Sequence, residues 1–355
     1  MRNLVTFGTL SQPLPTASLV VIDGEKSWFD LLNYDVGLEC GPRQVIVKVK
    51  AFSCNYRDKA LIRLLRVKEQ PSAFYALGSE FTGEVISVGT EVSAFHLGDR
   101  VMANNAWYGS DTSAELKGIP TNHASKEVQV FNENALVKVP SSMTNEVAAS
   151  FSISAQTSFG MIRRLQLSRG DKVLVTAASS NTSLFTISRL HHMGVQVYAT
   201  SSTSIFRENL YKLGVKELAV IDPKNADFTE VESMTKTIGK FDAIVDPFFD
   251  IHLGYLLPFL RAGGRYITCG LNSVDFTLKW DAREVIYHAL LENQQIMGNC
   301  LGTKSDLTDA LREFEAGKLD VIIDSVHRDN VGAFIERTFS NRNRFGKVVF
   351  VYDNG

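Results

Sequence analysis

At 355 residues the chain is longer than one average domain, and two independent cores are expected. Hydrophobic residues make up 45%, aromatic residues 10% and charged residues 21%, which excludes a disordered chain. A formal net charge of -2 removes the electrostatic reason to expect nucleic acid or an anionic membrane as the main partner.

From Met1 to Gln12 there is no basic segment followed by an apolar run, and no stretch reaches the roughly 18 apolar residues that cross a bilayer. A cytoplasmic protein is expected. The four cysteines, Cys40, Cys54, Cys269 and Cys300, form no C-x-x-C pair, so neither a disulfide framework nor a cysteine-built structural zinc site is indicated.

Between Gln44 and Phe52, Val45, Val47 and Val49 alternate with Lys48 and Lys50, the period-2 pattern of a strand buried on one face. Glu84 to Val88 reads as a second strand ending at Gly89, and Gly98-Asp99-Arg100-Val101 reads as a turn entering a third. The first part of the chain is therefore expected to be mostly β. After Pro140 the pattern changes, and Asn145 to Gln166 carries apolar residues at helical spacing over more than one helix.

Next comes an alternation of strand Lys172–Ala177, helix Thr182–His192, strand Val195–Thr200 and helix Ser204–Leu213. Further strands follow at Glu217–Ile221, Ala243–Asp246 and Arg265–Cys269. Strands alternating with helices predict a parallel, doubly wound α/β sheet, with the nucleotide site at the first strand-to-helix turn, Ala177 to Ser183. The tail predicts helices at Leu307–Ala316 and Val331–Phe339 and a last strand at Lys347–Tyr352, which returns to the first domain. The expected division is residues 1–145 completed by 300–355, and residues 146–299.

Three motifs stand at intervals of about twenty residues: Asn55-Tyr56-Arg57-Asp58, Gly78-Ser79-Glu80-Phe81-Thr82-Gly83-Glu84-Val85, and Gly98-Asp99-Arg100-Val101. Singly, their glycines need only serve turns and close strand approaches. Together, in this order and spacing, they resemble the medium-chain dehydrogenase/reductases, especially the quinone-oxidoreductase and enoyl-reductase branch. The resemblance implies a GroES-like, mostly β catalytic domain and a Rossmann cofactor domain, commonly in a homodimer or homotetramer.

Zinc-dependent members of that superfamily hold a catalytic metal with three protein ligands and an open position. In this chain Cys54 falls at the first position, Ser79 stands where a His is usual, and the third position falls near Ile153. Asn104 to Gly118 lacks the four cysteines of the structural zinc loop. No metal is expected, and Cys54 reads as a buried apolar residue.

Where relatives commonly carry three glycines, this chain has Ala177, Ser180 and Ser183. Ala and Ser are the smallest replacements, and serine and threonine hydroxyls add donors for a phosphate at a helix N-terminus. Ala178, Ser179, Ser180, Asn181, Thr182 and Ser183 are thus the expected phosphate turn, with Thr157 also placed at the cofactor by the resemblance. The strand ending in Thr200-Ser201-Ser202 lacks the acid that an NAD-specific site presents to the ribose. Those hydroxyls and Arg207 suit a 2'-phosphate, so NADPH is expected; the alternative for Arg207 is a solvated helix face. Gly270 and Leu271 resemble the strand end that lines the nicotinamide.

Tyr56, Asn55 and Asp58 are the catalytic candidates. Tyr56 is either a donor to a substrate carbonyl or a packing aromatic; Asp58 either acts there or starts a helix; Asn55 either contacts substrate or fixes a loop. Without zinc, the expected reaction is hydride transfer to a C=C bond conjugated to a carbonyl. Quinones, enones, enoyl thioesters and dehydroamino acids in a modified peptide all qualify; the serine-rich turn resembles reductases that convert dehydroalanine to D-alanine in lantibiotic pathways. A zinc-type alcohol dehydrogenase with unusual ligands and a non-catalytic NADPH-binding protein are the alternatives. The loops Ile62–Leu77 and Trp107–Ile119 are expected to shape the substrate cleft.

Overall fold

The computed structural model describes residues 1–7, 16–33, 37–67, 74–105, 118–272, 277–340 and 343–352. Much of the two expected cleft loops, residues 68–73 and 106–117, lies outside the described residues. The chain divides into two compact units, Met1–Ile153 with Ile322–Gly355, and Ser154–Val321.

The crossing into the second unit comes at Ser154 and the return at Ile322, both later in the chain than the residues expected from sequence. The later return follows from bonds between distant segments. Gln156 Nε2 donates to the Thr303 carbonyl at 3.0 Å, the Arg163 guanidinium holds Asp306 at 2.9 and 3.1 Å, and the Asp320 amide donates to Ser188 Oγ at 2.9 Å. These bonds keep the segment that follows Leu301 in the second unit. Apolar periodicity carries no trace of them.

The first unit is built on antiparallel strands. Its seven-stranded sheet runs Ile323–His327, Lys347–Val351, Gln44–Ser53, Glu80–Val88, Arg100–Ala103 and Leu136–Lys138, with Val128–Asn132 pairing to Gln44–Ser53 off this path. Only its first pair, Ile323–His327 with Lys347–Val351, is parallel. Val45, Val47 and Val49 turn into one core with Phe81, Val85, Phe334 and Phe350, as the alternation predicts; Phe52, out of phase with them, enters the same core beyond a shift in pairing register, and Ile46 and Ala51 are buried as well. An ideal Cβ on Gly83 would lie 2.6 Å from the Lys48 carbonyl oxygen, so the sheet's central pair admits no side chain there. A second sheet, Ser18–Ile22, Glu25–Asn33, Arg2–Phe7 and Phe74–Ala76, was not legible in the sequence.

The second unit is a six-stranded parallel sheet in the order Val215–Val220, Gln196–Ser201, Lys172–Val175, Phe241–Asp246, Leu260–Thr268 and Gln295–Gly298. The first strand in sequence sits in the middle and the strand order reverses beside it, which opens a crevice at the strands' C-terminal ends. Helix Asn181–His192 follows the first strand. The helix expected at Ser204–Leu213 is confined to Arg207–Lys212. Ser201 Oγ and Thr203 Oγ1 accept from the Thr203 and Ile205 amides, and such local side-chain bonds compete with helix initiation.

Among the described residues no helix is long and apolar enough to cross a membrane.

Candidate functional site

Two sites are built separately, one in each unit. In the first unit, strand Gln44–Ser53 runs out into helix Tyr56–Val67, and Asn55 occupies the junction. The Asn55 amide nitrogen donates to Asp58 Oδ2 at 2.7 Å, and the Asp58 amide donates to the Asn55 carbonyl at 2.9 Å. Asp58 is thus a helix-start residue, closing the reciprocal bonds of an N-terminal turn.

A ring of polar side chains surrounds this junction. Asn55 Nδ2 donates to Ser79 Oγ at 3.1 Å and to Glu80 Oε2 at 3.3 Å; Ser79 Oγ donates to Asp58 Oδ2 at 2.6 Å. Lys347 Nζ donates to Asn55 Oδ1 and to Glu80 Oε2, the latter at 3.1 Å. The other Glu80 oxygen accepts from the Ile153 amide at 2.8 Å and Ser152 Oγ at 3.3 Å. Ser53, Asp58, Ser79, Glu80 and Lys347 are all buried, and Asn55 is half-buried.

This geometry revises the expected roles of Asn55 and Asp58. The Asn55 amide spends its donors on Ser79 and Glu80, and Asp58 is 0% exposed, so both side chains act on the protein itself. Tyr56, by contrast, is 38% exposed; Lys59 Nζ lies 3.4 Å from its hydroxyl and 4.9 Å from its ring centre. Ser79, Glu80 and Lys347 were not among the site residues expected from sequence. The Gly-Ser-Glu motif signalled the first two, but nothing near Lys347 in the chain signals its burial.

Burial pushes the Asp58 carboxyl above its ordinary value, against the bonds from the Asn55 amide and Ser79 and the charges of Arg57 and Lys347, which pull it down. Asp58 Oδ1 is buried without a partner among the described residues. A carboxyl raised in the fold costs nothing below the unfolded value of about 4 and withdraws stability as pH rises through the folded one. Asp58→Asn keeps an oxygen to accept from Asn55 and Ser79. Its stability relative to wild type is therefore expected to improve as pH rises from about 4 towards 7, which urea midpoints across that range measure; a flat difference would show that burial does not dominate at Asp58.

Cys54 is buried in the apolar core with Phe52 and Phe81, and burial, with the nearby Asp58 charge, pushes its thiol well up. The side chain that meets Ser79 is that of Asn55. Among the described residues no three His, Cys, Asp or Glu side chains group as metal ligands.

In the second unit the turn after Lys172–Val175 begins at Ala177, whose φ is +48°. The backbone keeps the left-handed conformation that glycine favours, although the glycine is gone. Ala177→Gly is expected to stabilise the protein by about 1 kcal/mol, read as a raised thermal midpoint; an unchanged or lower midpoint would show the turn is unstrained.

Ser180 caps the following helix, its Oγ accepting from the Ser183 amide at 3.3 Å. Ser183 turns inward, donating to the Thr176 carbonyl at 2.8 Å, and Asn181 Nδ2 donates to Ser154 Oγ at 2.8 Å. The Ala178 amide donates to the Thr200 carbonyl at 2.9 Å. Ser179, Ser180 and Thr182 reach the surface of the turn, and Thr157 is buried on its own helix. Thr200 Oγ1 is buried with no partner among the described residues; Ser202 is exposed, and Arg207 Nη1 bonds Tyr211 OH at 3.2 Å. Gly270 and half-buried Leu271 follow strand Leu260–Thr268, the Gly270 carbonyl accepting from Thr268 Oγ1 at 3.2 Å.

Beneath this turn lies a group that sequence reading passed over. Asp246 ends the strand beside Lys172–Val175, so it stands where the strand order reverses. Its Oδ1 accepts from Thr176 Oγ1 at 2.6 Å and the Phe248 amide at 2.9 Å and meets His252 Nδ1 at 2.8 Å, while Tyr266 OH donates to Oδ2. Burial raises this carboxyl, but His252 and the hydroxyl donors outweigh it and hold it below the ordinary range. The two strand ends that flank the turn are thereby tied together.

Residues 41–141 match the family model described as the alcohol dehydrogenase GroES-like domain. The chain is 26% identical over 352 residues to an acryloyl-coenzyme A reductase of Metallosphaera sedula, covering 93% of this chain and 98% of that protein. Its fold resembles that of an NAD-dependent alcohol dehydrogenase, with a TM-score of 0.78, 24% identity and 99% of each chain covered. It also resembles a 2-octenoyl-CoA carboxylase reductase in complex with NADP and 2-octenoyl-CoA, with a TM-score of 0.75, 20% identity, and 97% of this chain and 90% of that one covered.

Proposed function

We propose that the chain is a medium-chain dehydrogenase/reductase acting as a zinc-independent, NADPH-dependent reductase of a C=C bond conjugated to a carbonyl, a reading supported by the GroES-like match over residues 41–141 and by the acryloyl-coenzyme A reductase relative. The observation that carries this reading is the polar ring of the first unit. By the resemblance, Ser79 stands at one position where zinc-dependent members hold metal and another falls near Ile153, and the Ser79 hydroxyl is committed to Asn55 and Asp58. A relative named for reducing acryloyl-coenzyme A, an alkene conjugated to a thioester, supports the same chemistry.

The residues of the second unit fit a nicotinamide dinucleotide phosphate. Thr200 keeps a buried hydroxyl in need of a partner, and no acid stands at Thr200, Ser201 or Ser202 to repel a 2'-phosphate. Ser179, Ser180 and Thr182 would hold the diphosphate at the helix N-terminus, Ser202 and Arg207 the 2'-phosphate, and Gly270 and Leu271 the nicotinamide. When bound, the cofactor supplies the hydride. Tyr56 then hydrogen-bonds the substrate carbonyl, stabilises the charge that develops on its oxygen and passes a proton towards the enolate, while Asn55 and Asp58 hold the turn that carries it.

Calorimetric titration of metal-analysed protein with NADPH and with NADH, followed by NADPH oxidation with enones, quinones and enoyl thioesters, tests this. Tight NADPH binding without zinc, weakened about tenfold in Arg207→Ala with NADH unaffected, is the expected result. Stoichiometric zinc with alcohol oxidation would replace the reading by an alcohol dehydrogenase, NADPH binding without turnover of any acceptor would leave a non-catalytic NADPH-binding protein, and no binding of either cofactor would overturn the reading.

A further inference from the structure

Lys347 opens the last strand, and its side chain is 2% exposed beside a Glu80 that is 0% exposed. Lysine is almost never buried this deeply unless paired, and an apolar pair of similar volume would spare the desolvation of two charges. The arrangement around the ammonium shows what the charges do. An asparagine amide presents an oxygen and a nitrogen of nearly equal shape, and only its partners tell the two orientations apart. Here Lys347 faces Oδ1 while Glu80 Oε2 faces Nδ2. Flipped, the amide would set donor against ammonium and acceptor against carboxylate.

Glu80 cannot swing away to relieve that clash, because the Ile153 amide and Ser152 hold its other oxygen. With Asn55 Nδ2 donating to Ser79 Oγ, the Ser79 proton is directed to Asp58 Oδ2. That same oxygen receives the Asn55 backbone amide. The Asn55 amide is thus set between Lys347 and Glu80, the direction of the Ser79 proton follows from it, and the ring closes on the turn from which Tyr56 projects.

Resting on the reading of Tyr56 as the group that meets the substrate carbonyl, we propose that Lys347 is a positioning residue: its ammonium sets the Asn55 amide in one orientation and, through Ser79 and Asp58, the first helical turn that carries Tyr56. A displacement of that turn changes the rate of the chemical step more than the binding of substrate.

Lys347→Met alone strands the Glu80 charge and is expected to be unstable, so the informative variant is the charge-neutral double substitution Glu80→Gln with Lys347→Met. The measurements are the urea midpoint, NADPH affinity, kcat and KM with a simple α,β-unsaturated ketone, and hydrogen exchange of the Asn55 side-chain amide, assigned by its loss in Asn55→Leu. The double variant is expected to recover most of the midpoint lost in Lys347→Met and to bind NADPH as wild type does. Its kcat should stay at least about tenfold down with KM changed less than about threefold, and the Asn55 amide should exchange faster. A stably folded double variant with wild-type kcat and an equally protected Asn55 amide would overturn the proposal. If wild type reduces no activated alkene, the reductase reading fails by itself, and the Asn55 exchange rate alone then accepts or rejects the orienting role of Lys347.

Discussion

Replacing Tyr56 by Phe is expected to lower kcat for reduction of an activated alkene by about a hundredfold or more while leaving NADPH affinity unchanged. Among the three catalytic candidates Tyr56 alone is exposed, and its hydroxyl is within 3.4 Å of the Lys59 ammonium. Lys59 is itself anchored on Asp23 at 2.6 Å, and Arg63 pairs with the same carboxylate. Among the described residues Lys59 and Arg63 share the one Asp23 carboxylate, and the Lys59 ammonium beside the phenol favours the negative charge left when a proton departs. Phe keeps the ring and its place over the ammonium and removes only the hydroxyl. Steady-state kinetics on the variant, with cofactor affinity from fluorescence titration, measures the effect. Undiminished kcat would remove Tyr56 from the chemistry and assign the proton to solvent.

Glu80→Leu is expected to destabilise the protein by about 3–5 kcal/mol, seen as a large fall in the urea midpoint. The substitution leaves the Lys347 ammonium buried and unpaired, and it strips an acceptor from the Ile153 amide, Ser152 Oγ and Asn55 Nδ2 together. The methyl groups that Leu brings to the site cannot repay an uncompensated charge. A midpoint within experimental scatter of wild type would mean that water reaches Lys347, and the network would then lose its claim to hold the turn.

The contrast between Asn55 and its neighbours shows where sequence reading stopped. The junction Asn55 to Asp58 was legible because it follows an alternating strand and resembles a family motif, but which of its side chains reach outward was not. The orientation of Asn55 depends on Glu80, 25 residues away, and on Lys347, 292 residues away. At Ala177 the sequence suggested that the glycine turn had been altered; the structure retains its left-handed backbone in spite of the substitution.

Local rules thus reached far into this protein. Strand alternation, strand-helix succession and the Thr200-Ser201-Ser202 strand end depend on residues close together in the chain, and from them the two-domain α/β architecture and the place of the Ala177 to Ser183 turn were read. Pairing between distant segments was decided only by the tertiary structure: the sheet that joins Arg2–Phe7 to Phe74–Ala76, the tie from Asp246 to Thr176, the residence of residues up to Val321 in the second unit and the burial of Lys347 against Glu80. A charged residue reads as surface in any local window, and only a carboxylate brought to it by the fold makes its burial tolerable.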